Sequence, residues 1–599
     1  MSAAPTSPPA GNRSHLRALL PHLRPDTRWY VAALAMAPVS AGLAILQPWL
    51  LKQAIDRGVT VDDPRMLVTL AVGYLVAGVV SFGAESGYTM ALAVGATRSI
   101  TRLREAVYVH ALGLGQSFHD REPTGRLLTR VTSDIEALGE TLTAGAITIV
   151  LDVLVVVGVL IAMLTLDPWL TAILLLVVPP LGLAIEVIRR RMRTLFVAVR
   201  SALSEMIAFA AERITGIEVV QLYSDEQRSL AKFDERLGRY RDGNVSSNVY
   251  DALMFALVDG VTSITMALML WYATAPWFEG VATAGLLAAF VDYIGRLFTP
   301  IRELSNKLAT LQRAASSVDK IGDLLECRER VAHGDAPLAG PAGDVVLDEV
   351  RFAYGEGPHT GERDVLHGVS LTIRPGEVVA LVGRTGSGKT TIGKLLIRAY
   401  GGYRGQITVD GVPLADLAPD ALRRRIGCVQ QDVVLFPASV RFNLALGEAI
   451  PDERLVEALV LAQATDLVAR LGGLDGTIEH GGRNLSVGEA QLLSFARVLA
   501  RDTPLVILDE ATASVDSLTE ARIQAATRVL LERRTVLVVA HRLSTITHAD
   551  RIVVLDHGTV LESGRHAELL TRDGPYAALF RSQFDTPLDA PDRRKSGAG

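Results

Sequence analysis

Cysteine is nearly absent from this chain: Cys327 and Cys428 are the only two in 599 residues, and they are not spaced as metal ligands. That excludes a disulfide-stapled secreted scaffold and a zinc site built from paired cysteines. Net charge is scarce too, −5 at pH 7, so no electrostatic argument favours a nucleic-acid partner. No internal repeat is visible, which excludes a solenoid or an array. What the sequence has in plenty is apolar residues, 49% of the total, with a positive mean hydropathy. Charged residues still make up 21%, too many for a chain wholly buried in lipid. The length exceeds what one core supports. Together these point to a multi-domain membrane protein with a substantial part in water.

Six apolar stretches lie between Trp29 and Ile301: Trp29–Leu51, Met66–Val94, Leu142–Leu166, Trp169–Ile188, Val249–Phe278 and Val281–Ile301. Each reaches the roughly 20 residues that cross a bilayer as a helix. Helices are expected because an open sheet would leave backbone polar groups unsatisfied in lipid. The first stretch is too long for a signal-peptide core and is read as a retained helix, with Arg13, Arg17, Arg24 and Arg28 keeping the N-terminus cytoplasmic. Two long basic segments, Thr97–Thr141 and Arg189–Ser247, separate the second span from the third and the fourth from the fifth. Their positive charge places them on the cytoplasmic side. The apolar spacing of Ile207, Ala211, Ile214 and Val219 predicts that the membrane helices run on into the cytoplasm.

The expected organisation is a disordered tail and cytoplasmic lead-in over 1–28, a transmembrane domain with cytoplasmic helix extensions over 29–330 and a Gly/Pro/Ala linker over 331–343. An α/β domain over 344–584 and a disordered tail over 585–599 follow. In the α/β domain, β-rich runs such as Val345–Val350, Val378–Val382, Leu505–Leu508 and Val536–Ala540 alternate with helical patterns.

The chemistry is concentrated there. Gly383, Arg384, Thr385, Gly386, Ser387, Gly388, Lys389 and Thr390 match the phosphate-loop pattern, directly after an apolar strand and before a helical run that opens with Thr391. Glycines let consecutive N–H groups converge on one anion, and the helix that follows adds its positive end. Lys389 can reach the terminal phosphates and Thr390 a Mg²⁺ ion, so a nucleoside triphosphate with Mg²⁺ is the implied ligand. A second strand ends in Asp509-Glu510. At the C-terminal edge of an α/β sheet, Asp509 is placed to hold Mg²⁺ and Glu510 to orient or deprotonate the attacking water. Alone, that acidic pair reads equally well as a solvated turn.

Between the two nucleotide motifs stands Leu485-Ser486-Val487-Gly488-Glu489-Ala490-Gln491, which resembles the LSGGQ signature of the ABC transporter family. The resemblance covers nearly the whole chain. Gln431 lies in a Q-loop-like VQQD, Ser514-Val515-Asp516 looks like the D-loop, His541 follows a strand as the switch histidine does, and Tyr354 fits the adenine-stacking position. Six spans ahead of one nucleotide domain resemble the exporter-type half-transporters, with Phe118–Asp134 and Gly216–Glu226 as the two cytoplasmic coupling regions. The resemblance implies an all-α six-helix transmembrane domain followed by an α/β P-loop ABC ATPase domain, working as a dimer with a second half-transporter, like or unlike. Ser486 and Gly488 would meet the γ-phosphate of ATP held by the other subunit, His541 would contact that phosphate, and Gln431 would reach Mg²⁺ or water. One departure stands out: the fifth signature position is Glu489 where the family usually has Gln.

The implied activity is ATP-driven movement of a hydrophobic or amphiphilic substrate, drug or lipid-like, across a membrane expected to be the bacterial inner membrane, with the ATPase on the cytoplasmic side. An ATP-gated regulator or channel, or an importer of the same architecture, stays open. Glu85, Asp152, Asp259 and Asp292 lie inside the predicted spans. A charged acid costs about 2.5–3.5 kcal/mol at a helix centre, so each is expected to face protein or water. They either line a cavity that attracts cationic amphiphiles or hydrogen-bond for helix packing.

Overall fold

The structure is a computed structural model that describes residues 12–144, 146–274, 283–331, 334–338, 343–355, 364–509, 516–532, 534–540 and 543–584. Two compact units emerge. The first comprises Leu112 and the residues before it together with Gly125–Cys327; the second comprises Gly113–Thr124 and the residues from Arg328 onward.

The first unit is helical. Its long helices are Thr27–Gln53, Pro64–Leu112, Ala146–Leu166, Pro168–Thr215, Glu226–Thr274 and Ala284–Glu326, and they carry the predicted spans, the third beginning in the preceding helix Ile135–Ala144. Four helical stretches, Leu19–Val59, Pro64–Leu112, Thr124–Leu166 and Pro168–Thr215, are long and apolar enough to cross a membrane. The described parts of the fifth and sixth spans lie in Glu226–Thr274 and Ala284–Glu326, and residues 275–282 between them lie outside the described residues. Four of the helices run well past membrane length, at 43 to 49 residues, as the apolar periodicity of the basic segments predicts.

Local chemistry fixes the helix starts. Asp167 caps Pro168–Thr215, its carboxylate accepting from the N–H groups of Trp169 and Leu170, and Pro168 takes the first-turn position where its missing N–H costs nothing. Thr283 caps Ala284–Glu326 and also donates to Asp56 at 2.7 Å. Pro38 and Pro48 lie within Thr27–Gln53, each removing one backbone donor from the helix. The apolar core of this unit gathers Val159, Met163, Leu174, Met269, Phe290, Tyr293 and Phe298. Phe290 and Tyr293 are therefore packing residues, and the Tyr293 hydroxyl donates to the carbonyl of Ile45 at 2.7 Å.

The second unit is α/β. Its strands are β1 (Val345–Phe352), β2 (Leu366–Ile373), β3 (Val378–Val382), β4 (Arg404–Val409), β5 (Val412–Pro413), β6 (Ile426–Val429), β7 (Leu505–Asp509), β8 (Thr535–Val539), β9 (Arg551–Asp556) and β10 (Thr559–Gly564). They form a four-stranded antiparallel sheet, β2-β1-β4-β5, and a six-stranded sheet, β10-β9-β3-β8-β7-β6, parallel except for β10. Side-chain alternation divides the core. Val378, Ala380 and Val382 face helices such as Val487–Arg501, while Val379 and Leu381 face the smaller sheet. Both faces are buried, which is why these strands read as continuous apolar runs.

Candidate nucleotide-binding site

The parallel register sets the site. The phosphate loop leaves β3 and Asp509 ends β7, with β8 between them, so both motifs reach the same C-terminal edge of the sheet. Gly383 lies where a Cβ would come within 2.0 Å of the Leu555 carbonyl oxygen, and Gly386 holds a φ of +83°, so the loop needs glycine at both positions. Lys389 opens the helix Lys389–Leu396 and is buried; its ammonium donates to the carbonyls of Gly383 and Arg384, each at 2.9 Å. Burial depresses its pKa, against the opposing pull of the Asp509 carboxylate. A buried cation held by two neutral carbonyls is ready to exchange them for phosphate oxygens. Beside it, the Ser387 hydroxyl oxygen is buried without a hydrogen-bond partner.

Thr390, Gln431 and Asp509 line one cavity of about 480 Å³, together with Gln116, Lys394 and Cys428. A hydroxyl, an amide and a carboxylate are hard oxygen donors of the kind that suit Mg²⁺ with phosphate completing the shell. Together with the glycine cradle and the unpartnered Ser387 hydroxyl, the residues present fit a Mg²⁺–nucleotide. Cys428, on β6, has its thiol pushed up to about 12 by burial and then by the nearby Asp509 carboxylate. Tyr354 is half-exposed; its hydroxyl is 3.0 Å from Thr391 Oγ1 and its ring meets Phe352 and Tyr400 edge-on.

The signature residues start a separate helix, Val487–Arg501. Ser486 caps it, accepting from the Glu489 N–H at 3.2 Å, while the Glu489 carboxylate accepts from the Ser486 N–H at 2.8 Å. The other carboxylate oxygen takes Arg470 at 2.7 Å. The acid at the fifth signature position is thus turned onto its own cap. Asp516 caps the helix Ser517–Leu531 by accepting from the Thr519 N–H at 3.0 Å, and that bond holds its carboxyl below the usual range. Glu510 and His541 lie outside the described residues. The described structure brings Thr390, Gln431 and Asp509 to one cavity; Tyr354 is joined to the phosphate-loop helix through Thr391. Gln116, Cys428 and Tyr400 escape sequence reasoning, since none carries a motif.

Of the intramembrane acids, Asp152 accepts from Lys307 at 2.5 Å, and Asp292 pairs with Arg296 at 3.3 Å, which also donates to Gln47. Glu85 and Asp259 are exposed on their helices.

A P-loop ATPase joined to a bundle of membrane-length helices is the class that this fold and site define. The family model for the ABC transporter transmembrane region matches residues 30–301, and a second family model, described as ABC transporter, matches 366–513. The chain is 34% identical over 571 residues to an ATP-dependent lipid A-core flippase of Chromobacterium violaceum, covering 93% of this chain and 96% of the flippase. It is 33% identical to a multidrug efflux ATP-binding/permease protein of Mycobacterium tuberculosis, over 94% of this chain and 47% of that longer protein. The solved structure of a bacterial Atm1-family ABC exporter with ATP bound superposes with a TM-score of 0.72 at 26% identity, covering 94% of this chain and 99% of the exporter. The chain belongs to the ABC transporter family, as an exporter-type half-transporter. It is an integral membrane protein whose ATPase domain binds and hydrolyses ATP to drive transport, and a half-transporter works with a second such subunit.

Proposed function

We propose that the chain exports a lipid-like or drug-like amphiphile by alternating access, closing on ATP held between its phosphate loop and the signature helix of a second subunit. The observation that carries this reading is the buried Lys389, held by two loop carbonyls beside a cavity lined by Thr390, Gln431 and Asp509. Tyr354 stacks on the base, and the loop from Gly383 to Thr391 wraps the phosphates. Thr390 and Asp509, with Gln431 nearby, would hold Mg²⁺, which would neutralise charge on the transferring phosphoryl group. Glu510 orients the attacking water and His541 contacts the γ-phosphate. Ser486, Gly488 and Asp516 complete the site of the opposite subunit. A helix N-terminus such as that at Val487 suits an anion.

The names of the relatives, a lipid A-core flippase and a multidrug efflux protein, support an amphiphilic substrate. A bacterial inner membrane with the ATPase on the cytoplasmic side agrees with the basic loops. The test is ATPase activity of the purified chain in lipid, beside Glu510→Gln, across a panel of lipids, cationic amphiphiles and peptides. Turnover that Glu510→Gln abolishes while ATP binding persists is expected, with lipids or cationic amphiphiles stimulating. Full turnover in Glu510→Gln sinks the assignment of that acid, and stimulation by peptides alone sinks the substrate class.

A further inference from the structure

The first two membrane helices meet around one aromatic residue. Trp29 opens the first apolar stretch, and Arg98 lies four residues beyond Val94, the end of the second. Gly95, on the helix Pro64–Leu112, lets the two helices close there: a Cβ at that position would stand 3.0 Å from the Trp29 Cβ and 3.4 Å from the Tyr30 ring. Trp29 packs against the buried cluster of Ala33, Ala91 and Leu92. Two guanidiniums lie over its ring, with the central carbon of Arg28 at 5.8 Å from the ring centroid and that of Arg98 at 5.5 Å. Both arginines are exposed.

Among the described residues neither guanidinium has a carboxylate partner. Asp26, the acid at this corner, is already engaged: buried, it accepts from Arg102 at 2.5 Å and from the Ser99 hydroxyl at 3.2 Å. Two like charges brought to one ring repel, and at an exposed site the ring offsets that only in part. An anion bridging them relieves the repulsion and gains charge-assisted hydrogen bonds from two guanidinium forks. The anion on offer at a membrane surface is the phosphodiester of an acidic lipid, and an interfacial tryptophan stands at the depth of that group. Phosphatidylcholine has the same phosphodiester but brings its own cation, so two uncompensated arginines favour a lipid with net negative charge.

We propose that Arg28 and Arg98, held over Trp29, form a binding site for the phosphodiester of an anionic glycerophospholipid in the cytoplasmic leaflet. The leaflet follows from the proposed placement of the basic loops; the lipid chemistry does not depend on it. The site is separate from the nucleotide cavity and from the exported substrate, so its test reads lipid association rather than transport.

The test uses the full chain in nanodiscs that mix phosphatidylcholine with phosphatidylglycerol, one or the other carrying brominated acyl chains that quench tryptophan fluorescence on contact. The chain has five tryptophans, so each measurement is repeated with Trp29→Phe and the difference isolates Trp29. Phosphatidylglycerol should quench that signal with an association constant at least about fivefold above that of phosphatidylcholine, and the ratio should fall as ionic strength rises. Arg28→Gln with Arg98→Gln should bring the ratio to about one, with the melting temperature and ATPase activity in pure phosphatidylcholine unchanged. Lysine at both positions should give an intermediate ratio, since it keeps the charge and loses the fork. Equal quenching by the two lipids in the parent overturns the site, as does a preference insensitive to salt. A preference that survives the loss of both arginines also overturns it, and assigns the effect to the field of the basic segments as a whole. A preference that inorganic phosphate removes at constant ionic strength overturns the lipid and assigns the arginines to a soluble anion. The salt and phosphate arms use the parent arginines, so they decide the question even where an arginine variant fails to fold.

Discussion

Arg470 and Glu489 are ion-paired at 2.7 Å, and the second oxygen of the same carboxylate caps the helix that begins at Val487. The charge at the fifth signature position is thereby neutralised from behind and pinned to the backbone of Ser486. Glu489→Gln keeps an acceptor for the cap and should change ATP-dependent turnover by less than about threefold, whereas Glu489→Ala loses a cap worth about 0.5–2 kcal/mol. Arg470→Ala leaves the carboxylate unbalanced beside a developing phosphate site. Its KM for ATP should rise, and the rise should shrink with added salt. A KM insensitive to both substitution and salt would mean that Glu489 is electrically remote from the nucleotide.

The phosphate loop offers a paired comparison. Gly383→Ala drives a Cβ into the Leu555 carbonyl at 2.0 Å, while a Cβ at Gly386 meets open space but a φ of +83°. The first should abolish ATP binding and lower the melting temperature. The second should cost only the roughly 1–2 kcal/mol of a left-handed L-residue and retain weakened binding. Nucleotide titration and thermal melts of the two proteins check both.

Glu377, one residue before β3, accepts from Arg551 through both oxygens, at 2.7 and 3.1 Å, and from the Arg374 N–H at 2.9 Å. Burial opposes ionisation, but these donors hold its pKa below the ordinary 4.5. A depressed carboxylate contributes stability that is fully present above 4.5 and is lost as pH falls through the folded-state value. Glu377→Gln should therefore melt lower than the parent well above 4.5, and the gap should close in acid. A gap that persists unchanged in acid would trace the effect to packing.

Asp152 and Lys307 make a similar case inside the membrane unit, at 2.5 Å and largely shielded. Asp152→Asn and Lys307→Met should each destabilise by about 1–3 kcal/mol, and the double variant by less than the sum. If Asp152 instead attracts cationic substrates, Asp152→Asn should abolish stimulation of ATPase by cationic amphiphiles without lowering the melting temperature.

The phosphate loop, Asp509 and the signature were legible in the sequence because each is a short run whose chemistry depends on neighbours a few residues away. Long helices were legible for the same reason, as apolar length and periodicity are local. The contact of Asp120 with Tyr400 was not, since 280 residues separate them and neither carries a motif. The partner of Asp152 was hidden for a different reason. Hydropathy marks a span but not its rotation, and rotation decides whether that acid meets Lys307 or lipid, whereas Asp292 and Arg296 stand four residues apart on one helix and their pairing is local. The direction of Glu489 depended on Arg470, nineteen positions away on another helix.

The partly buried thiol of Cys428 has a practical consequence. At a pKa of about 12 only about one part in 10⁵ is thiolate near neutral pH, and the thiolate is the species that reacts with maleimides and methanethiosulfonates. Replacing Cys327 alone therefore leaves Cys428 as a slowly labelled background, so single reporters can be placed along the helices without disturbing the residue that lines the nucleotide cavity.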